Sequence, residues 1–232
     1  MQRIYRVGGG SGPHPLAIRD AAQVLTAGGL ILTPTETVYG IGVAIGAYAS
    51  SGDEAPAPAT GYGRIFTLKR RDVRQTVPWL VASERDLDAF GVDVPEGVHV
   101  LARAFWPGAL TLIVKASDRV PRFMRAADGT VALRASASPV VQALVRACGS
   151  PLAVTSANTH GAPAPASFAQ VEARILAGVD AAIDAGETVC HDASTIVSLL
   201  DGELDIIRQG ALSAADIESA LASCSVSYRK VH

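Results

Sequence analysis

The sequence has little of what marks a specialised chain. It carries only three cysteines, Cys148, Cys190 and Cys224, oddly numbered, widely spaced and without a C-x-x-C. Neither a disulfide framework nor a zinc cage is expected, and a reducing, cytoplasmic compartment fits. Aromatic residues make up 5% of the 232 and charged residues 18%, while hydrophobic residues reach 49%, which excludes disorder, a coiled coil or an acidic tail. Charge of one sign is also missing. The 20 Lys and Arg nearly balance 22 Asp and Glu, so any basic site must come from local clustering. The uncharged stretch Ala21–Thr35 is too short for a membrane span and is interrupted by Gly28, Gly29 and Pro34. Residues 1–10 lack the apolar core of a secretion signal, so no membrane partner is expected. G-x-x-x-x-G-K-[ST], G-x-S-x-G, H-E-x-x-H and a strand followed by G-x-G-x-x-G are all absent. Walker NTPases, α/β-hydrolases, zincins and Rossmann dehydrogenases are thereby disfavoured.

What is present is an alternation of short apolar runs with helical patterns. Residues 15–27 place Leu16, Ile18, Ala21, Ala22 and Leu25 at helical spacing between Pro15 and Gly28. Leu30–Thr33, Pro78–Ala82, Ala109–Ala116, Thr130–Ala135, Pro151–Thr155, Ala181–Ala185, Ser194–Leu200 and Glu203–Arg208 read as strands. Capping patterns at Ser83-Glu-Arg-Asp86, Ser138-Pro139 and Ser213-Ala-Ala-Asp216 open helices, and Asp201-Gly202 is a hairpin turn. The fold class that follows is α/β, a single domain with a mixed sheet and flanking helices. Residues 1–14, with their Gly-rich Gly8–Pro13, read as a flexible leader, 15–222 as the domain and 223–232 as a tail. Ala47–Gly63, interrupted by Pro56 and Pro58, reads as a long loop that is functional or mobile.

Three segments could carry chemistry. Arg64–Arg74 holds five cations against one carboxylate, which is an anion site if the cations converge and a solvated helix face if they do not. Leu32–Gly42 packs hydroxyls, a carboxylate and two glycines into a loop after a strand, and Pro151–Gly161 does the same with Ser156 and Asn158 two residues apart. Each could equally be a turn whose side chains are internally satisfied. His160 is a lone loop histidine, and Cys190-His191 has no metal-ligand spacing, so no metal site is expected. A set of Lys, Arg, Ser, Thr and Asn without an acid–base pair suits phosphoryl or nucleotidyl transfer, in which fixed donors neutralise charge on oxygens.

Seven motifs in order give the chain a likeness to a known family. They are Pro34-Thr-Glu-Thr-Val-Tyr-Gly-Ile-Gly42, Lys69-x-Arg71, Phe105-Trp-Pro-Gly-Ala-Leu-Thr-Leu-Ile-Val114, Val131-Ala-Leu-Arg134, Ser156-Ala-Asn158 with Gly161, Ser194-Thr-Ile-Val197 and Ile207-Arg-Gln-Gly210. Across about residues 15 to 222 the chain resembles the YrdC-like family, and the extra C-terminal domain of longer members is not expected. The resemblance implies an open twisted sheet with a concave basic cavity. It also implies L-threonylcarbamoyladenylate synthase activity, a nucleotidyl transfer turning L-threonine, bicarbonate and ATP into L-threonylcarbamoyl-AMP and pyrophosphate. Mg²⁺ would accompany the ATP, and the partners would be threonylcarbamoyl-transferase proteins and tRNA, whose adenosine 37 is modified.

Carried over by motif, the resemblance makes Lys69, Arg71, Ser156 and Asn158 the catalytic set around triphosphate and carbamate. It adds Thr130 and Arg208 as nucleotide contacts and Thr35, Arg134 and Ser194 as threonine contacts. Asp72 replaces a family Pro, Ala82 stands where a His is frequent, and Ala164 where a Ser is common. Two other functions remain open at this level: a paralogue making a different carbamoyl-adenylate, and a non-catalytic RNA-binding relative.

Overall fold

A computed structural model describes residues 3–7, 13–200, 202–222, 224 and 227–228. In chain order the elements are β1 (Arg3–Arg6), α1 (Pro15–Thr26), β2 (Ile31–Pro34), β3 (Tyr39–Ala44), α2 (Gly61–Lys69), β4 (Trp79–Leu80), α3 (Asp86–Phe90), α4 (Glu96–Phe105) and β5 (Leu110–Lys115). There follow β6 (Thr130–Arg134), α5 (Pro139–Cys148), β7 (Leu152–Ser156), α6 (Ala173–Ala177), β8 (Ala181–Asp184), β9 (Thr195–Leu200), β10 (Glu203–Arg208), α7 (Ala214–Ala220) and β11 (Ser227–Tyr228). All the strands join one mixed sheet in the order β1-β8-β2-β3-β7-β4-β6-β5-β9-β10-β11.

The sheet separates two apolar clusters. On one side Ile18, Ala21 and Leu25 of α1 and Val141, Leu144 and Val145 of α5 pack on Ile31, Leu152, Val154 and Ile183. On the other, Tyr62, Ile65 and Phe66 of α2 and Val98 and Leu101 of α4 pack on Tyr39, Ile41, Trp79, Leu112 and Leu133. Alternation along β7 sends Leu152 and Val154 to the first cluster and Ala153 to the second, which fixes the register. The helix boundaries follow local chemistry. Ser138 caps α5 by accepting from the Val141 amide and Gly149 ends it at φ 59°, while Thr60 caps α2 by accepting from the Gly63 amide.

Four departures from the sequence reading have physical causes. Leu32–Gly42, expected as a loop, is a hairpin in which β2 and β3 pair antiparallel and only the residues between Pro34 and Tyr39 turn. Its glycines disguise it as a loop, yet the strand needs them. A Cβ on Gly42 would lie 2.5 Å from the Ala153 carbonyl oxygen and 2.6 Å from Val154 Cγ2, so β3 and β7 meet closely only because Gly40 and Gly42 carry no side chain. The leader expected over residues 1–14 contains β1, which pairs in parallel with β8 through contacts made some 180 positions later in the chain and invisible to local pattern. The tail expected over 223–232 contributes β11, paired with β10. Residues 8–12 of the Gly-rich segment and Asp201 of the hairpin turn lie outside the described residues, although β9 and β10 do pair antiparallel as that turn requires. The helix expected from Ser83 starts at Asp86, whose Oδ2 accepts from the amides of Ala82 and Ser83.

Among the described residues no helix is long and apolar enough to cross a membrane. The three cysteines are free thiols. Gly42→Ala is expected to lower stability by about 1–3 kcal/mol through overpacking between β3 and β7. Urea denaturation measures it, and an unchanged midpoint would mean that the two strands can separate without cost.

Candidate active site

Lys69 ends α2, and its amine is buried with only 2% of the residue exposed. Nζ donates to the carbonyl oxygens of Ser156 (2.5 Å) and Asn158 (2.9 Å) and lies 3.3 Å from Asn158 Oδ1 and 3.4 Å from Ser156 Oγ. Its neighbour Arg70 takes a left-handed conformation at φ 51°, and the Arg71 amide bonds back to the Phe66 carbonyl, so the chain reverses as it leaves the helix. The reversal turns Arg71 toward β7, where Nη1 donates to Thr155 Oγ1 (3.2 Å) and Nη2 to the Thr76 carbonyl (2.5 Å). The basic stretch Arg64–Arg74 therefore converges in part: Lys69 meets Ser156 and Asn158 and Arg71 meets Thr155, while Arg64 pairs with Asp180 and Arg74 with Asp72.

A second group gathers at Arg134, the last residue of β6. Its Nε donates to the Gly108 carbonyl (2.9 Å), Nη1 and Nη2 to Thr37 Oγ1 (3.0 and 3.1 Å), and Nη2 lies 2.6 Å from Glu36 Oε1. The Ser136 hydroxyl closes on the other oxygen of Glu36. Thr35 organises the turn, its Oγ1 donating to the Val38 carbonyl (2.6 Å) and accepting from the amides of Thr37 and Val38. Across the cleft, Arg208 Nη2 donates to the Ser194 carbonyl (2.7 Å), and the Ser194 hydroxyl is 2.9 Å from that of Thr111. Thr35, Thr37, Gly40, Thr111, Arg134, Thr155, Ser156, Ser194 and Arg208 all line this one cleft.

Of the residues expected from sequence, Thr35, Arg134, Ser156, Ser194 and Arg208 share the cleft, Lys69 and Arg71 bond to its β7 wall, and Asn158 just beyond β7 accepts from Lys69. Thr130 does not join them. It begins the strand that Arg134 ends, about 13 Å away at strand rise, and its hydroxyl donates to Asp128 Oδ1. Sequence reasoning passed over Thr37, Glu36, Thr111, Thr155 and Ser136. Thr37 and Glu36 sat in a quoted motif, but nothing local shows that an arginine 97 residues later would reach them.

Burial first and the nearby Arg71 charge second bring the Lys69 amine down to about 8, with Glu172 partly opposing them. Burial also pulls Arg71 and Arg208 down, Arg208 additionally by the charge of Arg134. For Glu36 burial alone would raise the carboxyl, but Arg134, the Ser136 hydroxyl and the Ala137 amide outweigh it and hold the acid below its ordinary value. The two ends of the cleft thus differ. Arg134 has a carboxylate partner, while Lys69 and Arg71 are held mainly by neutral oxygens, so uncompensated positive charge collects at the β7 end.

An open mixed sheet with a cationic, hydroxyl-lined cleft at its strand ends defines a binder of small polyanionic ligands. The chain belongs to the Sua5/YciO/YrdC family, described as "Telomere recombination", whose profile it matches over residues 23–210. It is 34% identical over 204 residues to a threonylcarbamoyl-AMP synthase of Pyrococcus abyssi, covering 88% of this chain and 57% of that protein. It is 37% identical over 176 residues to a threonylcarbamoyl-AMP synthase of Xanthomonas axonopodis pv. citri, covering 75% of this chain and 87% of that one. The fold superposes on P. abyssi Sua5 complexed with L-threonine at a TM-score of 0.84 and 30% identity, over 97% of this chain and 62% of that chain. On E. coli YciO the TM-score is 0.77 at 21% identity, which shows the shared fold. This chain thus spans less than two thirds of the length of the Pyrococcus proteins.

The Glu36–Arg134 pair makes a pH prediction. Because the folded state lowers the Glu36 pKa, its stabilisation is complete above the unfolded value of about 4.3 and is lost as pH falls through the folded one. Thermal unfolding followed from about pH 7 to about pH 3 should show a smaller acid loss for Glu36→Gln than for wild type. Superimposable pH profiles would show that the pair adds nothing.

Proposed function

We propose that this chain is an L-threonylcarbamoyladenylate synthase, joining L-threonine, bicarbonate and ATP into L-threonylcarbamoyl-AMP with release of pyrophosphate. The observation that carries the reading is the division of charge in the cleft. Lys69 and Arg71, without a carboxylate in contact, suit a triphosphate, and the compensated Arg134, beside the Thr35–Thr37 turn and Ser194, suits a single amino-acid carboxylate. The relatives named threonylcarbamoyl-AMP synthase and the threonine complex of P. abyssi Sua5 support it.

The chemistry balances in two steps. The threonine amine attacks bicarbonate, forming an N-carboxy (carbamate) group with loss of water. A carbamate oxygen then attacks the α-phosphorus of ATP, the bond from that phosphorus to the bridging oxygen breaks, and pyrophosphate leaves with the electron pair. Two anions must approach each other, so the barrier falls wherever fixed donors already face the oxygens that gain charge. Lys69, Arg71, Ser156 and Asn158 fill that role, with Arg208 on the nucleotide and Thr35, Arg134 and Ser194 on threonine, while Thr130, bonded to Asp128 at the other end of its strand, takes no part. Mg²⁺ enters as the salt of the substrate ATP. Among the described residues no cluster of three or more His, Cys, Asp or Glu could hold a metal, and Glu36 is committed to Arg134 and Ser136. The product would pass in the cytoplasm to transferase proteins that modify adenosine 37 of tRNA.

Pyrophosphate release from Mg-ATP, with bicarbonate and threonine each added or withheld and with serine and carbamoyl phosphate as substitutes, tests this directly. Release that needs both bicarbonate and threonine is expected. Release only with serine or carbamoyl phosphate would identify a different carbamoyl-adenylate enzyme, and none under any condition would leave a binding role. Lys69→Ala and Arg71→Ala should each lower turnover more than about tenfold, since each removes a charge-assisted contact of roughly 1.5–3 kcal/mol.

A further inference from the structure

Lys69 and Asn158 belong to different elements, and no direct backbone ladder sets their separation. A side-chain knot at the start of α6 does. Glu172 Oε1 accepts from the Thr159 amide (2.7 Å) and Oε2 from the Thr159 hydroxyl (2.8 Å), which grips the loop directly after Asn158. Arg174 Nη2 donates to the same hydroxyl (2.7 Å), while its Nη1 donates to the Leu68 carbonyl (2.6 Å), one residue before Lys69. The Lys69 carbonyl in turn receives the His160 amide (2.8 Å). Two carbonyls that the end of α2 leaves without helical partners are therefore tied to the β7 loop, one directly and one through Arg174. Leu68 also packs on the end of α6, where a Cβ on Gly178 would lie 2.4 Å from one of its methyl carbons.

We infer that Glu172 and Arg174, acting through Thr159, are positioning residues that hold Lys69 and Asn158 at a fixed separation for the phosphates of the nucleotide. The inference rests on the nucleotide-binding reading above. Neither residue needs to touch the ligand. A structural prop and a positioning pair differ in one respect: the Glu172 carboxylate also acts on the charge of Lys69. The ionisable residues on the segments around that amine are Arg70 and Arg71 beside it, Glu172 and Arg174 at α6, and His160 on the loop. Among the causes acting on the amine, burial and Arg71 disfavour its charged form and Glu172 favours it. Nucleotide affinity should thus be complete at low pH and decline as pH rises through about 8 in the wild type. Removing the Glu172 charge should bring that decline on at lower pH.

Calorimetric titration of Mg-ATP into the full chain across the alkaline range, together with KM values for ATP and threonine, separates the possibilities. Glu172→Gln and Thr159→Val should each weaken ATP by roughly fivefold, the equivalent of one hydrogen bond, with KM for threonine unchanged. Thr159→Ser, which keeps the hydroxyl, should restore wild-type affinity. Only Glu172→Gln should displace the alkaline decline, because Thr159→Val removes no charge. Wild-type affinity and an unmoved decline in Glu172→Gln would overturn the inference while leaving the function standing. So would equal losses for ATP and threonine in all three variants, Thr159→Ser included, since that pattern is general damage to the fold. A wild-type protein that binds no ATP would overturn the functional reading and this inference with it.

Discussion

A buried ammonium held by neutral oxygens is the constraint around which the cleft is built. Lys69 has carbonyl and amide oxygens of Ser156 and Asn158 around its amine and no carboxylate in contact. Desolvation of a cation is costly, and carbonyl dipoles offset only part of it. The positive potential left over attracts an anion. To hold that amine in place the protein must end α2 abruptly, turn the chain through Arg70, carry β7 past the helix end and anchor the following loop. Each of those features is present, and each is expensive without the others: a left-handed arginine, glycines in β3 so that β7 can approach, and a carboxylate placed to satisfy a loop amide.

The other arginine at the heart of the cleft is treated in the opposite manner. Arg134 is only 5% exposed, yet its guanidinium meets a carboxylate, a hydroxyl and a carbonyl. Leaving such a charge alone in the interior would be strongly destabilising, whereas a matched partner makes it tolerable and fixes its direction. One end of the cleft is therefore electrostatically hungry and the other geometrically strict. A ligand with several negative charges and one with a single carboxylate would meet different surroundings at the two ends.

Much of this was legible in the order of residues. The basic stretch before Asp72, the Ser-x-Asn after a strand and the hydroxyl-rich segment after Pro34 each announced polar ligand chemistry, and the strands β5, β6, β7, β9 and β10 stood out as short apolar runs between turn residues. What escaped were features made by distant partners. The β3 strand hides because its glycines, which signal a loop locally, are demanded by a neighbour more than a hundred positions away. Thr37 and Glu36 look like ordinary turn residues until Arg134 arrives. Thr130 was placed by likeness of motif alone, and strand geometry sets it at the far end from Arg134. Periodicity reports on the face a residue shows to the core; it carries no information about which remote side chain will fill the space beside it.

The sheet order places the first strand of the chain at one edge and the last at the other. An open sheet exposes unpaired amides and carbonyls at each margin, where another chain could add itself. Here the margin beyond β8 is covered by β1, which presents Arg3 and Arg6 to solvent, and the margin beyond β10 by β11, only two residues long. Charge on one edge and brevity on the other are two ways to refuse a further strand. Neither β1 nor β11 lines the cleft; as the selvages of an eleven-stranded open sheet, their work is at its margins, where a charged strand and a very short one make poor templates for another.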